Sequence, residues 1–426
     1  MLLADVDLMP DCSHAVTMRI LFLTQWFEPE PAFKGATFAN ALKARGHDVE
    51  VATAFPNYPG GKLYRGYKVR PYQRDLVDGL TVHRLAIWPS HNASSLGRIA
   101  NYVSFFLSTL LFGLLRAYKY DLVYVYHPPI TPSVAAGIFC SLYRKPLVVE
   151  IQDLWPDSVA ASGMVGKTIP RVLNSVCNFV YNRASQIIPQ SDRMLERIAE
   201  RGVPRSKLTR LYNWATYEDG DTPIPESTRL AFAGKFNVVY GGNMGQAQAL
   251  SDLVEATVIA AKTRPEVHLH LFGNGIERDL VMAEAARLGP NHVTLHPSVD
   301  RRTMDRVFDQ ADVLIAQLNA DPLYEITIPS KVQHYLAVGK PIIAGLRGEA
   351  AHVLDQSGAA IVCPPQDIEA MAQAILELAS LPAEDRRLMG SYGRRFYDAT
   401  FGFERAIDET LAVIAKATSN PHREQA

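Results

Sequence analysis

The feature that most constrains this chain is an alternation. Short apolar runs rich in Val, Ile and Leu are followed, again and again, by stretches of helical periodicity. Such alternation is the signature of βα units and a parallel sheet, and the continuous apolar runs fit strands covered on both faces. In the first half the runs are Ile20–Thr24, Val49–Ala54, Thr81–Ile87, Leu122–Tyr126, Leu147–Ile151 and Gln186–Pro189. The pattern dissolves around Thr216–Thr228, where Glu218-Asp-Gly-Asp-Thr-Pro-Ile-Pro225 reads as a linker. A second series follows, with strands at Asn237–Tyr240, Val267–Phe272, Val293–His296, Val313–Gln317, Pro341–Ala344 and Ala360–Val362, before two closing helices. The reading is α/β, two doubly wound Rossmann-like halves facing across a cleft, because parallel open sheets bind ligands at their carboxyl edges.

Residues 1–17 carry no basic n-region and no apolar core of a signal peptide, so they read as a disordered tail. The expected boundaries are 18–215 for the first domain, 216–230 for the linker, 231–400 for the second domain and 401–426 for a last helix and tail. Lys and Arg number 43 against 44 Asp and Glu, a formal net charge of −1, which argues against a general nucleic-acid binder. Cys12, Cys140, Cys177 and Cys363 have no metal-ligand spacing and read as small buried hydrophobes.

Several loops could carry chemistry. The first βα loop ends in Lys34-Gly35, where a lysine could reach an anion and a backbone could approach a ligand; an ordinary loop explains it equally. There is no G-x-G-x-x-G, which disfavours a dinucleotide site. Asp153, after the strand Leu147–Ile151, reads as a base or charge stabiliser. His127, at the end of Leu122–Tyr126, reads as a second cleft residue, although a lone His is more often structural. In the second half, Gly242-Asn243-Met-Gly245 and Gly273-Asn-Gly275 each join a strand to a helix, where glycine amides could meet a phosphate. Pro329 suits a helix first turn, which puts Ser330 and Lys331 at the positive end. A lysine there is unfavourable unless an anion joins it, or unless it is merely a surface side chain.

These pieces, with Phe55-Pro-Asn-Tyr-Pro-Gly60, Gln152-Asp-Leu-Trp-Pro156 and Thr327-Ile-Pro-Ser-Lys331, resemble the retaining glycosyltransferases of family 4, which have the GT-B fold. The resemblance runs from Met18 to about Ala417 and points to the bacterial O-antigen and capsule branch, including N-acetyl-L-fucosamine transferases. It implies a sugar-nucleotide donor, with UDP the expected nucleotide, bound by the second half and an acceptor, polyprenyl-diphosphate-linked or glycan, bound by the first. It implies transfer of a sugar, an N-acetylated amino sugar by branch, with retention and without an essential metal or other cofactor. It also implies a last helix that crosses back to the first half. The donor residues it implies are Gly242, Asn243, Gly245, Gln246, Gly273, Gly275, Ser298, Glu325, Thr327, Ser330 and His334, with Lys331, Asp153 and His127 in catalytic roles.

Two positions depart from the family pattern. The second of its paired glutamates, which grips the ribose, falls at His334, and the first falls at Ile326, beside Glu325. The basic residue often found after the Gly-Asn-x-Gly turn is Gln246. These departures keep two alternatives open, a sugar-nucleotide epimerase on the same fold and a catalytically weak nucleotide-binding relative. The most apolar segment, Arg98–Lys119, reads as a buried helix or as one lying in a membrane interface. The expected location is cytoplasmic, peripheral at the inner face of the plasma membrane.

Overall fold

The computed structural model describes residues 17–90, 95–127, 129–157, 169–217 and 220–419; the expected tail, apart from Thr17, and Cys12 lie outside them. The chain divides into two compact units, Met1–Ile188 with Thr410–Ala426, and Pro189–Glu409.

The first unit runs β1 (Arg19–Thr24), α1 (Ala36–Ala44), β2 (Asp48–Ala54), β3 (Tyr72–Val77), β4 (Leu80–Leu85) and α2 (Ser95–Arg116). It continues through β5 (Leu122–His127), α3 (Thr131–Tyr143), β6 (Leu147–Ile151), α4 (Ile169–Arg183) and β7 (Gln186–Pro189). The sheet order is β3-β4-β2-β1-β5-β6-β7. Its switch point lies between β1 and β5, whose register pairs Ile20 with Leu122 and Thr24 with Tyr126. β1, β5 and β6 are buried almost throughout, which is why they read as plain apolar runs. β3 was not anticipated. It is an antiparallel edge strand, Tyr-Gln-Arg-Asp-Leu-Val, whose alternating half-exposure leaves no apolar run. Its turn to β4 is Asp78-Gly79 with φ of 50° and 76°, a two-residue hairpin signal present in the sequence.

The second unit runs α5 (Asp192–Glu200), α6 (Glu226–Phe232), β8 (Phe236–Gly241), α7 (Leu250–Thr263), β9 (Val267–Phe272), α8 (Arg278–Leu288), β10 (Val293–Leu295) and α9 (Arg301–Asp309). Then come β11 (Val313–Gln317), α10 (Ser330–Val338), β12 (Ile342–Gly345), α11 (Gly348–Ser357), β13 (Ala360–Cys363), α12 (Ile368–Ser380), α13 (Ala383–Thr400) and α14 (Phe403–Thr418). The parallel order is β10-β9-β8-β11-β12-β13, with the switch point between β8 and β11. Successive strand residues feed opposite faces: Val238 and Val313 pack under α7 and α12, and Val239 and Leu314 under α9 and α10.

Residues 189–215 pack with the second unit. The buried Glu349 carboxylate explains it. It accepts the amides of Asp192 and Arg193, both at 3.1 Å, and the Tyr212 hydroxyl at 3.1 Å, and so ties the start of α5 to α11. The expected linker also contains a helix, α6. From Thr410 onward α14 belongs to the first unit, where the Thr410 side chain hydrogen-bonds Tyr124. Cys140, Cys177 and Cys363 are buried and free.

Candidate active site

In the second unit, β8 and β9 end side by side in glycine turns that nest on each other. Gly242 N donates to Phe272 O at 2.9 Å, Met244 N to Asn274 O at 2.9 Å, and Glu277 N to Met244 O at 3.0 Å. A Cβ on Gly273 would lie 1.8 Å from the Gly242 carbonyl oxygen, and one on Gly275 would lie 2.2 Å from that of Met244. These glycines let two backbones touch. That corrects the expectation of free glycine amides, because the amides of Gly242, Gly245 and Gly275 are already used inside the turns. Gly245 N donates to Gln248 Oε1 at 3.0 Å and Gly275 N to Asn274 Oδ1 at 2.9 Å.

The free end is that of α10. Its N-cap is Pro329, and no side chain caps it. Ser330, exposed, is its first residue, and Lys331 follows. The Lys331 ammonium folds back over the glycine turn, 4.9 Å from the centre of the Tyr240 ring and so close to Gly242 that a Cβ there would be 2.6 Å from Nζ. Among the described residues no carboxylate pairs with it, and burial alone draws its pKa down to about 8. An unpaired, partly dehydrated ammonium beside a positive helix end is a site that favours an anion. Two tyrosines missed in the sequence hold its floor. The Tyr240 hydroxyl donates to Asn243 O at 2.5 Å, and the Tyr335 hydroxyl accepts Gly241 N at 3.3 Å. Aromatic residues flanking a glycine turn and a helix lysine were the available signal.

Around this centre, Asn243, Gln246 and Ser298 are exposed at the ends of β8 and β10, and Thr327 is half-buried before α10. Glu325 lies in a short 3-10 turn, 3.8 Å from Arg193, with both side chains largely exposed. Ile326 buries its side chain. His334 stands one turn beyond Ser330, but its Nε2 lies 2.7 Å from Oδ1 of Asp305, a buried carboxylate on α9. The imidazole implied to meet the ribose therefore has an acidic neighbour within the fold. Asp305 had no distinguishing sequence signal.

The end of β10 is held by a chain of polar side chains. Asp312 accepts Asn237 N at 2.8 Å and Asn237 Nδ2 at 3.3 Å. The Asn237 carbonyl must therefore accept His270 Nε2–H at 3.0 Å, and His270 Nδ1 then accepts His296 Nε2–H at 3.0 Å, tautomers assigned from the network. Burial holds His270 down to about 2 and His268 and His296 to about 4, so the chain is neutral at ordinary pH.

In the first unit the candidate residues separate. Lys34 reaches no external anion. It is fully buried, with Nζ 2.5 Å from Glu150 Oε2, and the Tyr124 hydroxyl donates to the same oxygen. Gly35 approaches the chain's own carboxylate rather than a ligand. A Cβ there would be 2.0 Å from Glu28 Oε1, which accepts Ala36 N at 2.8 Å and so supplies the anion at the start of α1. His127 is buried with both ring nitrogens unpartnered, and burial holds its pKa down to about 3. It lines a cavity of only about 10 Å³ with Ser133, Ile151 and Trp155, and is neutral and shielded, which corrects its expected role as an accessible catalytic group. Asp153 is exposed just beyond the end of β6.

Two doubly wound units, with an anion-favouring helix end and glycine turns in the second, define a GT-B fold. Residues 36–214 match the family model "Glycosyl transferase 4-like domain", and residues 235–380 match "Glycosyl transferases group 1". The chain is therefore a glycosyltransferase of the GT-B fold. It is 24% identical over 389 residues to the putative colanic acid biosynthesis glycosyl transferase WcaI of Escherichia coli K12, covering 87% of this chain and 92% of that protein. Among solved structures it is similar to Anabaena Alr3699/HepE in complex with UDP, with a TM-score of 0.66, 17% identity, and 94% and 100% of the two chains covered. It is also similar to an α,α-trehalose-phosphate synthase (UDP-forming) from Burkholderia vietnamiensis, with a TM-score of 0.69, 12% identity, and 94% and 100% covered.

Proposed function

We propose that the chain is a retaining transferase that moves a sugar, an N-acetylated amino sugar, from a UDP donor to a lipid-linked or glycan acceptor in cell-surface polysaccharide assembly. The observation that carries this reading is the unpaired Lys331 ammonium over Gly242 at the uncapped end of α10. The UDP in the HepE structure supports the nucleotide, and the colanic acid biosynthesis role given to WcaI supports the polysaccharide.

In the reaction the anomeric C–O bond to the diphosphate breaks and negative charge grows on the leaving group. Lys331 and the first amides of α10 bind that charge more strongly than they bind the ground state. One such contact is worth about 3–4 kcal/mol. The acceptor oxygen bonds to the anomeric carbon from the face the diphosphate leaves, and its proton passes to a diphosphate oxygen. No strong protein base is needed, in keeping with a buried, neutral His127. The test is product analysis with UDP-sugars and a lipid-linked glycan acceptor. An α product from an α donor, with UDP released, supports the reading. A β product overturns retention, and a donor isomerised without acceptor replaces transfer with epimerisation.

A further inference from the structure

We propose that α2, α3 and α4 of the first unit form a docking face for an anionic lipid bilayer. The outer side of α2 carries Leu96, Ile99, Val103, Leu107, Leu111 and Leu115, each between 47% and 78% exposed. Their three- and four-residue spacing draws one apolar stripe along a 22-residue helix, about 33 Å at 1.5 Å per residue. Trp88, 63% exposed, stands beside it, tied to α2 through Trp88 N on Ser104 Oγ at 2.7 Å and Trp88 O on Asn101 Nδ2 at 2.8 Å. α3, packed against α2, adds Leu142, and α4, packed against α3, adds Val172. A contiguous apolar surface of this length needs a partner.

Charge selects the partner. Residues 95–119, 131–145 and 169–183 contain no Asp or Glu, yet they carry Arg98, Arg116, Lys119, Arg144, Lys145, Arg171 and Arg183. The whole chain is balanced at 43 basic to 44 acidic residues, so the single-sign face is local. Leucines on basic helices that carry no carboxylate of their own suit the headgroup boundary of an anionic membrane. A second copy of the same three helices would bring mainly like charges together. α2 is long and apolar enough to span a bilayer. It does not span here, because its other side, Asn101, Phe105 and Phe112, is core of the unit. The helix therefore lies in the interface plane. This inference is independent of the donor site.

The experiment is flotation of the full chain with vesicles of phosphatidylcholine alone and with added phosphatidylglycerol, at low and high salt. The expected result is co-flotation with the anionic vesicles, weakened by salt. Leu107→Asp with Leu111→Asp should lower the bound fraction about tenfold or more. Lys119→Gln with Arg144→Gln should lower it chiefly on anionic vesicles. Unchanged far-UV circular dichroism and an unchanged UDP-induced thermal shift show each variant folded. No flotation at low salt overturns the proposal, as does equal flotation of the leucine variant. A wild-type dimer dissolved by that variant in sedimentation also overturns it, in favour of self-association.

Discussion

The Lys331 ammonium occupies the space that a Cβ on Gly242 would need: Nζ and Cε would each lie 2.6 Å from it, and Gly242 itself has φ of +140°. Gly242→Ala therefore meets the end of a flexible side chain and a backbone state that L residues avoid. The expected cost is about 1–3 kcal/mol, with Lys331 displaced and the UDP-induced thermal shift reduced. Gly273→Ala meets a carbonyl oxygen at 1.8 Å, and should lower the melting temperature much further. Thermal melts with and without UDP check both.

Lys331 also predicts opposite effects on stability and binding. Its folded pKa, about 8, is depressed from 10.5 by burial. The neutral amine is favoured by the fold, so its stability contribution is present above pH 10.5 and is lost as pH falls towards 8. Below pH 8 the ammonium costs about 3 kcal/mol as an upper bound. Lys331→Met should raise the melting temperature of the free protein at pH 7. In the wild type, UDP affinity should fall above pH 8, well clear of the ionisation of the terminal phosphate at about pH 6, and the variant should lose that fall. Calorimetric titration across pH 6–10 reads this out.

The buried histidines make a second pH prediction. His127, His268, His270 and His296 all have folded pKa values lowered from 6.5, to about 3, 4, 2 and 4, first of all by burial. Their contribution is present above pH 6.5 and is lost as pH falls towards these folded values. His268 and His296 each contribute up to about 3 kcal/mol over that window. Melting temperature should fall between pH 6.5 and 4, and less steeply in His296→Gln.

Lys34 separates structure from chemistry. Lys34→Met leaves Glu150 buried without its cation and should cost about 3–5 kcal/mol. UDP affinity, read by calorimetry on the remaining folded protein, should stay within about twofold of the wild type, because Lys34 is buried in the first unit against Glu150.

What could be read from sequence follows physical rules. β1, β5 and β8 were legible because strands buried on both faces must be apolar throughout. β3 was not, because an edge strand with Arg74 and Asp75 on it resembles a loop. Lys331 drew notice because a cation at a helix start is anomalous by itself. Lys34 and Gly35 misled, since their anions, Glu150 and Glu28, are found only when the chain folds. The glycine amides misled for a similar reason, because Gly242 N is taken by the neighbouring turn and Gly245 N and Gly275 N by side chains of their own turns. His334 resembled a free ligand group because nothing local marks Asp305, which reaches it from another helix.

The most direct test of the central claim is a comparison of UDP and uridine binding, by calorimetry at pH 7, in the wild type and in folded Lys331→Met. The anion pocket predicts that UDP binds the wild type at least about a hundredfold more tightly than uridine, and that the variant loses most of this difference while uridine binding is unchanged. Equal UDP affinity in a folded Lys331→Met would contradict the pocket and, with it, the role given to α10.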